Sequence, residues 1–146
     1  MSELGDSLKV VLADSFAFYL KAHNYHWNVE GANFSEYHAF FGTLYAEVWG
    51  AVDLIAEHIR TLDEYAPASF ERFKQLSNIQ DELKIPQASV MISRLLADNE
   101  KVIDSLEKAH KIAESANKRG IVNFLEDRID IHEKHSWMLR AIAKAR

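Results

Sequence analysis

Residues 23–60, HNYHWNVEGANFSEYHAFFGTLYAEVWGAVDLIAEHIR, decide the fold, because two helical patterns meet there across a short break at 28–33 centred on Gly31. After the break Phe34, Tyr37, Phe41, Leu44, Val48, Val52, Ile55, Ile59 and Leu62 recur at steps of three and four, which marks one buried helix face. Asn33 is placed to cap that helix, and Glu36, three residues on, completes a capping box. His26 and His38 stand on either side of the break. Asp53 and Glu57 lie one turn apart on a second face, further along. His38 and Asp53 are 15 residues apart, roughly 22 Å of axis at about 1.5 Å per residue. One ion cannot touch both on a single helix. A second copy of the helix, antiparallel about a two-fold axis, presents the same patch twice. The spacing therefore permits a metal site shared between two subunits.

Composition narrows the class. A chain of 146 residues with 48% hydrophobic residues and only seven glycines and prolines together fits one compact helical domain over residues 1–146. The formal charge of −5 and the pI of about 5.8 argue against binding nucleic acid through bulk positive charge. With no cysteine there is no disulfide, thiolate zinc site or iron–sulfur cluster. No uninterrupted apolar run of membrane-spanning length is present, and MSELGDSLKV lacks the features of a signal peptide. A soluble cytoplasmic protein is the expectation, with no membrane partner.

Upstream, residues 3–28 are apolar at Leu4, Leu8, Val11, Phe18, Ala22 and Tyr25, with Leu12, Phe16 and Tyr19 widening the stripe, and predict a long helix, with Gly5 expected to delay its start. Downstream, the second helix ends near Asp63. Residues 67–86, with a proline at each end, predict a connection carrying a short helix. About 20 residues is long for a connection in a compact domain, and makes sense if the chain must cross the bundle before the next helix. Residues 88–116 place Met91, Leu95, Val102, Leu106, Ala109 and Ala113 on a buried face; residues 120–144 do so with Ile121, Phe124, Leu125, Ile131, Met138 and Ile142. The fold class is all-α: a four-helix bundle with one long crossover between its second and third helices.

His26-Trp27-Asn28, Gly31-Ala32-Asn33-Phe34, His38 and Asp53-Leu54-Ile55-Ala56-Glu57 together resemble the signature of the Dps family, miniature ferritins that protect DNA during starvation. The segment from His132 to Arg140, HEKHSWMLR, is similar to that family's closing motif. With the matching length and helix spacing, the resemblance spans nearly the whole chain. It implies a ferritin-like bundle assembled as a dodecameric homo-oligomer. It also implies that His26 and His38 of one subunit and Asp53 and Glu57 of its neighbour bind ferrous iron. Hydrogen peroxide, or more slowly dioxygen, would oxidise the iron there, and ferric mineral would collect inside the shell. Two imidazoles and two carboxylates also suit zinc or manganese. In that family acidic residues early in the last helix line three-fold pores, for which Asp127 and Asp130 are the candidates; by themselves Glu126, Asp127 and Asp130 are a solvated charge cluster.

One position departs from the family pattern. Where an acidic residue usually follows the second histidine by one turn, this chain has Gly42. Glycine inside a helix costs roughly 0.5–1 kcal/mol relative to alanine, so a close approach of some other group is expected there. Glu36 or Glu47 could replace the lost carboxylate, or the chain could be a shell protein with weak or lost oxidase activity. Trp27 could cover the site; Trp49 and Trp137 are expected to pack. His58 points about 100° away from Glu57 around the helix. Glu107-Lys108-Ala109-His110 occurs once where di-iron bundles need it twice. His132 and His135 are three rather than four residues apart, unlike a zinc protease. Only Lys9 is basic in the first ten residues, and Lys144-Ala145-Arg146 is short, so DNA binding is expected to be weak or absent.

Overall fold

Ser2 starts the first helix: its hydroxyl accepts the Gly5 N–H at 2.9 Å, so Gly5 lies inside the helix rather than delaying it. In the computed structural model, which describes residues 2–144, the helices are α1 (Glu3–Asn28), α2 (Phe34–Thr61), α3 (Phe70–Leu76), α4 (Ala88–Ser115) and α5 (Arg119–Ala143). No strand occurs among the described residues. Helix α1 packs on α2 and α4, α5 packs on α4, and short α3 rides on α1 within the crossover.

The predicted faces of α1 and α4 are buried as expected, from Leu8, Val11, Phe18 and Tyr25 to Met91, Leu95, Val102 and Leu106. Helix α5 differs. Ile121 and Leu125 are in the core, but Phe124, Ile131 and Met138 are half-buried and Ile142 is exposed. Arg128, His132, His135 and Ser136 occupy the inner face instead. The expected capping box is also absent. Asn33 adopts φ 64° and ψ 24° with no side-chain cap bond, because it serves as a left-handed turn residue and caps through its carbonyl, which accepts the Tyr37 N–H at 3.1 Å. Gly31, at φ 101°, supplies the other left-handed step of the turn.

One face of α1 holds the crossover in place. Glu64 accepts from the Ser2 N–H at 3.1 Å, from its hydroxyl at 2.6 Å and from Lys9 at 3.2 Å. A Cβ on Gly5 would meet the Glu64 carboxylate at 2.3 Å, so that glycine makes the space Glu64 fills. Further along, Lys21 donates to Gln80 O at 2.9 Å and pairs with Asp98 at 2.8 Å, and the Tyr25 hydroxyl donates to Glu82 at 2.6 Å. Between them Asp14, fully buried, accepts from the Ser77 hydroxyl at 2.8 Å and from the Asn78 backbone N–H at 2.6 Å and side-chain amide at 3.2 Å. Asp14→Ala strands these donors and is expected to cost about 2–4 kcal/mol of stability. Urea unfolding measures it, and a loss below about 1 kcal/mol would show that water replaces the carboxylate.

By length and composition α2 could cross a membrane. Its buried side chains face the bundle, however, and Glu47 at mid-helix pairs with an arginine of α5. Leu20, Trp27, Phe34, Trp49 and Leu54 of α1 and α2 are exposed, Phe34 among them although its spacing predicted burial, because it lies in the first turn of α2 beyond the core. Trp49 is 53% exposed and Trp137 62%, so neither is the packing residue expected within one chain. Trp49 only leans on Tyr19, at 4.7 Å between rings.

Candidate metal centre

The left-handed turn at residues 31–33 brings the last turn of α1 against the first turns of α2, and with them His26 against His38. The rings stack with centroids 3.8 Å apart and planes 18° from parallel. Each is pinned by the other's backbone: His26 Nδ1 lies 2.7 Å from His38 O, and His38 Nδ1 lies 2.7 Å from His26 O. A carbonyl only accepts, so each Nδ1 carries a hydrogen and Nε2 is the ring nitrogen left to meet a metal. Fixing one ring nitrogen through a carbonyl orients the other as a metal ligand. Phe34 stacks on the far side of His38 at 5.1 Å.

Asp53 and Glu57 are not brought to this pair. They are exposed further along the unbroken α2, without a hydrogen bond or ion pair among the described residues. No cluster of three or more histidines and carboxylates able to hold a metal occurs among the described residues of one chain. The chain thus carries imidazole nitrogens at one end of α2 and free carboxylates toward the other. Both donor types suit a first-row divalent ion.

Neither acidic residue considered as a substitute at position 42 joins the histidines. Glu36 is exposed with no polar contact among the described residues, and Glu47 is turned inward. Trp27 stacks on His23 at 3.9 Å and is 62% exposed, so within one chain it covers His23 rather than the pair. His23 in turn stacks on Tyr45 at 3.7 Å and lies 3.0 Å from the Tyr19 hydroxyl. His58 packs on Phe124 at 4.5 Å. His110 contacts Glu126 at 2.9 Å, which removes that carboxylate from the acidic cluster. Asp127 and Asp130 remain exposed, with Lys134 3.9 Å from Asp130.

The feature that sequence reasoning missed is a polar network inside the bundle. Arg128 of α5 donates to both oxygens of Glu47 on α2, at 2.5 and 3.1 Å, and to His132 Nε2 at 3.0 Å. His132 Nδ1 donates to Asn99 Oδ1 at 2.6 Å; the Asn99 amide donates to His132 O at 2.8 Å and to Ser136 Oγ at 2.6 Å. His135 Nε2 donates to Glu47 at 2.7 Å. The arrangement needs a neutral His132. Burial first, then the charges of Arg128 and His135, hold this ring well below its ordinary range, against the opposite pull of Glu47. Unfolded, it takes up a proton near pH 6.5. The unfolded chain therefore binds more protons below that pH. Stability is full above it and falls with acid by up to about 1.4 kcal/mol per pH unit for this proton. Urea unfolding at about pH 7.5 and 5.5 is expected to show a smaller difference in His132→Gln than in the parent; equal differences would contradict this.

A family model described as ferritin-like domain matches residues 6–145. The protein named DNA protection during starvation protein 2 of Bacillus anthracis is 32% identical over 130 residues, covering 89% of each chain. Among solved structures, the Dps protein of Vibrio cholerae O1, described as a member of a broad superfamily of ferritin-like diiron-carboxylate proteins, superposes with a TM-score of 0.93 at 27% identity, covering 97% of this chain and 89% of its own. Dps from Staphylococcus aureus superposes at 0.94 with 26% identity, covering 99% and 97%.

Proposed function

This chain belongs to the ferritin-like domain family and, within it, to the Dps proteins, and from that premise we propose that it is an iron-sequestering miniature ferritin whose oxidation site is assembled between two copies of itself. The observation that carries this reading is the reciprocally pinned pair His26 and His38, which holds two imidazoles ready for a metal while the carboxylates to complete the site stand unpartnered on α2. Exposed Trp27, Trp49 and Leu54 give a second copy something to cover. Around a two-fold axis, Asp53 and Glu57 of the neighbour complete each histidine pair, so one dimer makes two sites.

Ferrous iron is the substrate. Two ferrous ions each give one electron to hydrogen peroxide, whose O–O bond breaks to two hydroxides; the ferric ions hydrolyse to oxyhydroxide and release protons. Dioxygen is the slower oxidant. The imidazoles and carboxylates hold the ions, and burial of the interface keeps bulk water from them. Mineral collects in a dodecameric shell that iron enters past Asp127 and Asp130. Consuming iron and peroxide together protects DNA without gripping it, in keeping with a net charge of −5 and with Lys9 paired to Asp6 and Glu64. Gly42 favours a second reading, a shell that holds zinc without oxidising iron. Anaerobic loading of the apo-protein with ferrous iron, then a peroxide pulse followed by ferric absorbance, separates the two. Oxidation well above a protein-free control is expected; a trace matching the control would leave the zinc-holding shell.

A further inference from the structure

Gly42 is not required by the backbone, since Gly31 is the only glycine with positive φ among the described residues. What it supplies is space. A Cβ built on Gly42 would lie 3.1 Å from both Cε1 and Nδ1 of His26, closer than ordinary contact. Nδ1 is also the atom 2.7 Å from His38 O. Any side chain at position 42 therefore presses on the ring at the point where it is pinned. The neighbouring backbone cannot yield easily, because Gly42 lies within α2 and His26 in the last turn of α1, with the buried Val29 closing that helix on Tyr25 O at 3.0 Å. The ring must move. With glycine it lies against His38, and no carboxylate of the same chain joins the pair to make a group of three.

We propose that Gly42 is a positioning residue that sets the metal preference of the site: it lets His26 stack on His38 and gives this chain's half of the centre two imidazole nitrogens and no oxygen. This rests on the shared-site function proposed above and names the ions that site prefers. Imidazole suits borderline ions such as zinc and copper, whereas manganese is better held by carboxylates and water. The half-site accordingly selects zinc or copper over manganese more strongly than a half-site with its own carboxylate.

Copper(II) added to the apo-protein is the probe. Electron spin-echo envelope modulation counts bound imidazoles through the remote ring nitrogen, and that nitrogen's quadrupole coupling reports whether its N–H is hydrogen-bonded. The parent is expected to show one imidazole per copper with a hydrogen-bonded N–H, because ring planes stacked 18° from parallel cannot both contain one ion. Gly42→Ala is expected to lose the hydrogen-bonded N–H signature of His26, whose Nδ1 the added Cβ meets, and to bind zinc about tenfold or more weakly, the usual range for losing a ligand's outer partner. Gly42→Asp is expected to narrow the ratio of zinc to manganese affinity measured by calorimetry. A parent-like hydrogen-bonded signature and unchanged zinc affinity in Gly42→Ala would overturn the role of Gly42, as would a parent without that signature. A parent that binds no copper, or binds it equally after His26→Ala and His38→Ala together, would instead overturn the shared-site function itself.

Discussion

Iron oxidation by an Asp53→Ala variant is expected to fall at least about a hundredfold in initial rate, since even outer partners of metal ligands are worth 10–100-fold. Asp53 is exposed and makes no hydrogen bond or ion pair among the described residues, so the fold of one chain does not use it. Helix content and particle size are therefore expected to match the parent. An exposed carboxylate without a partner adds little to the stability of one chain, so a lost rate in this variant would report on chemistry rather than folding. Glu36→Ala, at an exposed carboxylate early in the same helix, is the control and is expected to keep the parent rate. Stopped-flow ferric absorbance with circular dichroism on the same samples reads both quantities. A parent-like rate in Asp53→Ala would remove this residue from the site.

Replacing Glu47 by alanine is expected to cost about 3–5 kcal/mol, the range for removing one partner of a buried ion pair. Arg128 is 4% exposed and would keep its charge with no carboxylate beside it. His135 would lose the acceptor of its Nε2–H at the same time. Burial alone would raise the Glu47 carboxyl, but hydrogen bonds from His135 and Arg128, with their charges, outweigh it and hold it at about 2. Its contribution is therefore complete above the ordinary value of 4.5 and is lost as pH falls through the folded value of about 2. Urea unfolding of parent and variant at one protein concentration, needed because assembly adds to apparent stability, is expected to show the full gap at neutral pH. Glu47→Gln should lose less, because it still accepts one hydrogen bond. A gap below about 1 kcal/mol at neutral pH would mean that Arg128 finds water instead.

The helices were readable because apolar residues recur at helical spacing wherever burial is the dominant demand. Along α4 every residue named for the buried face is in the core, and along α1 all but Phe16 and Tyr19 at the edge of the stripe, which are half-buried. Helix α5 defeats the same reasoning because part of its inner face is polar: Arg128, His132, His135 and Ser136 are buried by partners on α2 and α4 that hydropathy cannot supply. The spacing at Arg128, His132 and His135, steps of four and three, carries a signal, but only for a reader who counts polar residues as candidates for a core. Asn33 misled for a related reason. Its residue type suits both a side-chain cap and a left-handed turn, and Gly31 two residues before it tips the balance toward the turn. His26 and His38 were identifiable as a pair from their places on either side of the break. Their mutual pinning through backbone carbonyls was not, because it depends on how the turn closes. The meaning of Gly42 likewise needed coordinates: sequence shows a missing carboxylate, whereas the structure shows an imidazole in the space.

The measurement that bears most directly on the shared site is complementation between two variants, Asp53→Ala and His26→Ala combined with His38→Ala. Each alone breaks every interface site. Co-assembled in equal amounts, random pairing makes about half the dimers mixed, and a mixed dimer has one intact site of its two by two-fold symmetry. The account predicts that the mixture recovers about a quarter of the parent's rate of ferrous oxidation. A mixture as inactive as its components would contradict a site built from two chains.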